Sequence, residues 1–166
     1  VKPILTKENQ MSDYRTFLVP YDFSAHSREA LFAATDLAKR LHADLHLLHV
    51  VQLVAYPHGR AGMGGAAVPP PIDMAEIREA ALRSLRDVAD GIRDFSGKVE
   101  AHVVEGAGIA DMIRESAEKL GADLIVMGTH GRTGWAHVFL GSVTERTLRS
   151  APCPVLTIRS PEEEAE

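Results

Sequence analysis

The chain predicts an α/β domain built on an open parallel sheet. Three observations carry that expectation. Short apolar runs alternate with longer amphipathic ones along most of the sequence. One run, Leu124 to Met127, has no polar alternation at all, and it stops at Gly128, where a glycine-rich loop begins. Alternating strand and helix signals argue for parallel strands joined by helical crossovers. A strand apolar on both sides is one covered by helices on both faces.

The elements follow in order. Thr16 to Tyr21 reads as the first strand and Ser24 to Leu41 as the first helix. In that helix Ala30, Leu31, Ala34, Leu37, Ala38 and Leu41 recur at helical spacing. Leu45 to Val51 is the second strand. Met74 to Phe95 carries the clearest amphipathic stripe, with Met74, Ile77, Ala81, Leu85, Val88, Ile92 and Phe95 on one face. Val99 to Val104, the third strand, sets Val99, Ala101 and Val103 against Glu100 and His102. One face is therefore wetter, which places this strand near an edge of the sheet. Ile109 to Leu120 reads as a helix, Leu124 to Met127 as a strand, Ser142 to Arg149 as a helix and Val155 to Ile158 as the last strand. Between the second strand and its helix, Ala55 to Pro71 is rich in glycine and proline and has no period. It reads as a surface loop, with a lid or a partner-binding segment as the alternative.

The bulk numbers exclude several classes. With 166 residues and a net charge of -5, the chain fits one domain and offers no broad attraction to nucleic acid or anionic lipid. An anion site must be local. Cys153 is the single cysteine, so no internal disulfide forms, and a reducing, cytoplasmic setting is expected. No apolar run approaches the roughly 20 residues of a membrane span, and no secretory leader is visible. Residues 1–14 read as an N-terminal extension, 15–159 as the domain and 160–166 as an acidic tail.

In an open parallel sheet, ligands bind beyond the carboxyl ends of the strands, where the strand order reverses. Two loops leave such ends with suitable chemistry: Pro20-Tyr21-Asp22-Phe23-Ser24 and Gly128 to Ser142. They face each other across one crevice if the first and fourth strands are neighbours. Asp22 can accept hydrogen bonds from a ribose, or it can cap the following helix or hold a turn. Ser142-Val143-Thr144-Glu145 matches a capping box, which would tie Ser142 to its own helix. A helix start also favours an anion, and Thr144 adds a hydroxyl. The spacing Gly128-x2-Gly131, nine residues, then Gly141-Ser142, is more informative than the glycines singly. His130 can touch a phosphate and Arg132 is a phosphate neighbour by charge, with a solvated loop position as the alternative for each.

Rival motifs fail. The chain has no Walker-type glycine-lysine-serine. Gly106-x-Gly108-x-x-Asp111 imitates a dinucleotide turn but lacks the third small residue, and it reads as a tight turn. The eight histidines include no HExxH, and His46 and His49, three apart on a strand, point to opposite faces. No metal site and no nucleophile–histidine–acid arrangement is expected.

Together the motifs resemble the universal stress protein family over nearly the whole chain, from about Arg15 to Arg159. The resemblance rests on Pro20-Tyr21-Asp22-Phe23-Ser24, Leu47-Leu48-His49-Val50, Asp123 through Gly131, Leu140-Gly141-Ser142-Val143-Thr144 and Cys153-Pro154-Val155-Leu156. Gly128, Gly131, Gly141 and Ser142 match the G-x2-G-x9-G-S/T pattern that marks the ATP-binding branch. The resemblance implies a single-domain, five-stranded sheet of order 3-2-1-4-5 with helices on both faces, of the adenine-nucleotide-binding type. It places adenine against backbone near Val50 and the end of the first strand, and ribose on Asp22. It places the phosphates along Gly131, Gly141, Ser142, Val143 and Thr144, with Met127 and Gly128 flooring the pocket. Tyr21 stands where relatives often carry a smaller residue.

The resemblance also implies ATP, accompanied by Mg²⁺, as ligand, and a homodimer formed by pairing Val155 to Ile158. A nucleotide-dependent stress-response regulator is the expected function, with unknown protein partners and no nucleic acid or membrane partner. A slow ATPase or autophosphorylating enzyme and a nucleotide-independent scaffold are the alternatives.

Overall fold

A computed structural model describes residues 14–52, 73–129 and 140–159. Its elements are β1 (Thr16–Pro20), α1 (Ala25–Leu41), β2 (Asp44–Gln52), α2 (Met74–Asp90), β3 (Val99–Gly106), α3 (Ile109–Leu120), β4 (Leu124–Gly128), α4 (Ser142–Ser150) and β5 (Val155–Ile158). All five strands are parallel, in the order β3-β2-β1-β4-β5. The strand order reverses between β1 and β4, which pair through Phe17–Leu124 and Leu18–Ile125.

Side chains divide by the two-residue period of each strand. Phe17, Val19, Leu45, Leu47 and Val126 face one side, under Leu31, Ala34 and Ala38 of α1 and Leu85 of α2. Leu18, Leu48, Ile125 and Met127 face the other, under Ile113 and Ala117 of α3, with Val143 of α4 alongside. Both faces are thus covered, and every residue of β4 is buried, as its unbroken apolar run requires. Fully burying one such aliphatic side chain contributes about 1.5–3 kcal/mol. β3 lies at an edge, as its polar alternation predicts.

Helix ends explain the boundaries. Ser24 caps α1 by accepting from the Ser27 N–H at 3.1 Å, and Asp73 caps α2 by accepting from Ala75 and Glu76. Gly121 closes α3 at φ 61°, a conformation that favours glycine. The stripe read as one helix to Phe95 is shorter: α2 ends at Asp90, Gly91 follows, and Asp94 sits at φ 54°. Ile92 and Phe95 still pack on the core from outside the helix, so their spacing outlasts the helix itself.

Candidate functional site

The crevice forms where β1 and β4 part company, as the strand order requires. Tyr21 extends the β1 pairing by one more bond, its N–H donating to the Leu48 carbonyl at 2.8 Å. The chain then turns sharply. Asp22 Oδ1 accepts from the Ser24 N–H at 3.1 Å, and Phe23 adopts φ 66°, unusual for an aromatic residue. Tyr21 and Phe23 meet edge to face at 5.2 Å, and the His49 ring lies 5.0 Å from Phe23. His49 Nδ1 is 2.7 Å from the Tyr21 carbonyl. A carbonyl only accepts, so Nδ1 carries the proton of that bond. These contacts hold the turn in a conformation that would otherwise cost about 1–3 kcal/mol. Asp22 holds the turn; Ser24, not Asp22, caps the helix.

On the other side, Gly128 ends β4 with its α-carbon against α1. A Cβ there would come within 3.0 Å of the His26 backbone carbon and oxygen. Close packing against α1 therefore demands this glycine. The Gly141 N–H donates to the Thr129 carbonyl at 2.7 Å, and Thr144 Oγ1 donates to the Gly128 carbonyl at 3.0 Å. Both bonds rivet the start of α4 to the end of β4. The Thr144 hydroxyl proton, expected to face a ligand, is occupied in that rivet.

Gly141, not Ser142, is the N-cap of α4, and no side chain caps it. Ser142 is the first helical residue, so the capping-box expectation is corrected. The bonds from the Gly141 N–H to Thr129 and from the Thr144 hydroxyl to Gly128 hold this turn against the end of β4 with Ser142 already inside the helix. Among the described residues no side chain accepts from the first N–H groups of α4. The same holds for α3, whose N-cap is Gly108 and which also lacks a side-chain cap.

Both helix starts open on one cavity of about 950 Å³, within the size range of ligand pockets. Pro20, Tyr21, Asp22 and Val50 line it from the β1 and β2 side. Met127, Gly128, Gly141, Ser142, Val143 and Thr144 line it from β4 and α4. His130, Gly131 and Arg132 lie outside the described residues, as does all of Ala55 to Pro71.

Other lining residues escaped sequence reasoning. Ala107, Gly108, Ile109 and Ala110 bring in the start of α3, although the Gly106–Asp111 segment reads in sequence as no more than a turn. Ile77 and Ala81 of α2 form an apolar wall, and Arg146 adds a cation one helical turn beyond Ser142. The four-residue step from Ser142 to Arg146 on a helix was the available signal. Among the described lining residues Asp22 is the one carboxylate and Arg146 the one arginine or lysine.

Cys153 is a free, half-buried thiol. Burial first, then the Asp123 charge, pushes its thiol above the ordinary value, against a hydrogen bond from the Ile125 backbone. A thiol so held is a poor nucleophile at neutral pH.

An open doubly wound sheet of five parallel strands, with a cavity beyond the strands' carboxyl ends, defines the class: a single-domain α/β fold of order 3-2-1-4-5. The sequence profile described as the universal stress protein family matches residues 13–159. The chain belongs to the universal stress protein family. It is 35% identical over 151 residues to universal stress protein MJ0531 of Methanocaldococcus jannaschii, covering 91% of this chain and 85% of that one. Among solved structures, a universal stress protein family member from Burkholderia pseudomallei is similar at 31% identity and a TM-score of 0.66, covering 92% of this chain and all 100% of that one. A universal stress protein in complex with cAMP is similar at 25% identity and a TM-score of 0.61, covering 89% and 98%. Among the described residues no helix is long and apolar enough to cross a membrane.

Proposed function

We propose that this chain binds an adenine nucleotide, ATP with Mg²⁺, in the crevice between β1 and β4, and acts as a nucleotide-dependent regulator in the cytosol. One observation carries the reading: the start of α4 opens on the cavity with no side-chain cap, beside Gly128, Gly141 and Ser142 of the ATP pattern and across from Asp22. Backbone N–H groups at a helix start, together with the helix dipole, bind phosphate. The complex of a family member with cAMP supports an adenine nucleotide as the ligand class. In this reading Ser142, Val143 and Thr144 hold phosphate through their amides, and Arg146 adds charge. Asp22 accepts from the ribose hydroxyls, and the apolar wall of Ile77 and Val50 receives the base. His130, Gly131 and Arg132 complete the proposed phosphate contacts. Mg²⁺ usually keeps several of its waters and binds to the phosphates it accompanies, so in this reading it enters with the ATP while Asp22 stays on the ribose.

Dimerisation through β5 belongs to the same proposal. Among the described residues β5 pairs only with β4, which leaves its outer edge open to a second copy, and Leu156 is exposed there. Sedimentation of the whole chain at micromolar concentration tests it, and a monomer throughout would remove this part alone.

The nucleotide reading is tested by releasing small molecules from the purified protein and titrating ATP, ADP, AMP and cAMP calorimetrically. Saturable heat at one site per chain is expected. No recovered nucleotide and no heat at millimolar concentrations would overturn it.

A further inference from the structure

Away from the crevice, on the face covered by α3 and α4, the register of β2 and β3 assembles a cluster that sequence spacing conceals. His46 pairs with Glu100, and Leu48 with His102, so His46, Glu100 and His102 project from one face at the sheet edge. His46 Nδ1 and His102 Nε2 are 3.0 Å apart, and Glu100 Oε2 is 3.7 Å from each. We propose that these three residues bind a divalent transition-metal ion of the zinc class, clamping the edge strand β3 to β2.

The geometry carries this. A point equidistant from the three ligand atoms lies about 2.0 Å from each, the length of a Zn–N or Zn–O bond. Two imidazoles and a carboxylate with an open fourth position form a known zinc donor set. The two ring centroids are 5.2 Å apart with 26° between their planes, and the two nitrogens that face each other are 3.0 Å apart. The side chains are 15%, 28% and 51% exposed for His46, His102 and Glu100, a graded opening through which an ion and its remaining water can enter.

The protonation chemistry is consistent. Without an ion, one of the facing nitrogens carries a proton that the other accepts. On binding, the donor ring releases that proton and takes one up on its other nitrogen. Both rings then stay neutral and no net proton leaves. Burial first, then the His46 charge, holds the His102 pKa below its ordinary 6.5, opposed by Glu100 and aided by Lys119. Nitrogen-rich donors prefer Zn²⁺, Ni²⁺ and Cu²⁺ to Mg²⁺, so this site is chemically distinct from one beside nucleotide phosphates.

The test uses the whole chain without nucleotide and Zn²⁺ as the probe, in competition with a chromophoric chelator at neutral pH. One tight equivalent per chain is expected, with Mg²⁺ unable to displace it. His46→Ala and His102→Ala should each weaken it by more than about 100-fold, because even outer-shell losses cost about 10–100-fold. Glu100→Gln should weaken it by about 10-fold. An unchanged tight equivalent in either histidine variant would overturn the proposal, as would no tight equivalent in the parent chain. A Zn²⁺-soaked crystal of the parent provides a readout independent of variant folding. Anomalous density among the three side chains supports the site; its absence there leaves the histidines as a hydrogen-bonded pair only and refutes it.

Discussion

The two ends of the sheet treat backbone amides in opposite ways. At the amino end, carboxylates close the edge. Asp123 Oδ2 accepts from the Arg15 and Thr16 N–H groups at 2.6 and 2.7 Å, splicing β1 to β4, and Asp44 Oδ1 accepts from Lys98 at 2.7 Å, splicing β2 to β3. The Arg15 guanidinium reaches the Leu41 and His42 carbonyls at the end of α1. At the carboxyl end, α3 and α4 begin on glycine with no side-chain cap, and a cavity lies before them. α1 and α2, by contrast, are capped by Ser24 and Asp73. Where amides are satisfied the chain stabilises itself; where they are left open it can hold an anion.

The largest expected effect breaks the open end alone. Gly141 has φ -69° and ψ 150°, which any residue can adopt. Gly141→Val should lower nucleotide affinity by more than about 100-fold, or about 2.7 kcal/mol. Its stability cost should be only about 1 kcal/mol, because aliphatic N-caps are poor. Calorimetry beside thermal melting separates the two. Asp123→Ala should do the reverse, since two backbone N–H groups lose a charged acceptor. Denaturant unfolding should show a loss of about 2–3 kcal/mol, with nucleotide affinity unchanged.

Gly128→Ala sharpens the comparison, because this motif glycine packs against α1 as well as lining the cavity. The added methyl meets backbone at 3.0 Å, which cannot swing aside. A stability loss of about 1–3 kcal/mol is expected, with a smaller change in affinity than for Gly141→Val. Thr147→Val is the smallest. Among the described residues Thr147 Oγ1 is buried without a hydrogen-bond partner. Removing it should leave stability unchanged or raise it by up to about 1 kcal/mol, read from the melting curve.

Much of this architecture is readable from local pattern. The limits of α3 and β5 and the burial of β4 follow from apolar periodicity and flanking glycine or proline. The β1–β4 crevice follows from two unusual loops leaving strand ends. What escaped depends on contacts distant in sequence. The capping box at Ser142 was overruled by the Thr144–Gly128 bond, which exists only once α4 docks. The α3 start joins the cavity because α3 crosses back over β2 and β1 to pack against α4, a placement that the Gly106–Asp111 segment does not encode locally. The His46, Glu100 and His102 cluster depends on strand register, which brings together residues more than fifty positions apart.

The central claim is that open amides at the start of α4 hold the nucleotide phosphates. Amide NMR of the ¹⁵N-labelled chain during an ATP titration tests it most directly. Saturable shifts are predicted at Ser142, Val143 and Thr144, with Arg15 and Thr16 at the closed end unmoved. Unmoved α4 amides at millimolar ATP, or shifts confined to the closed end, would contradict it.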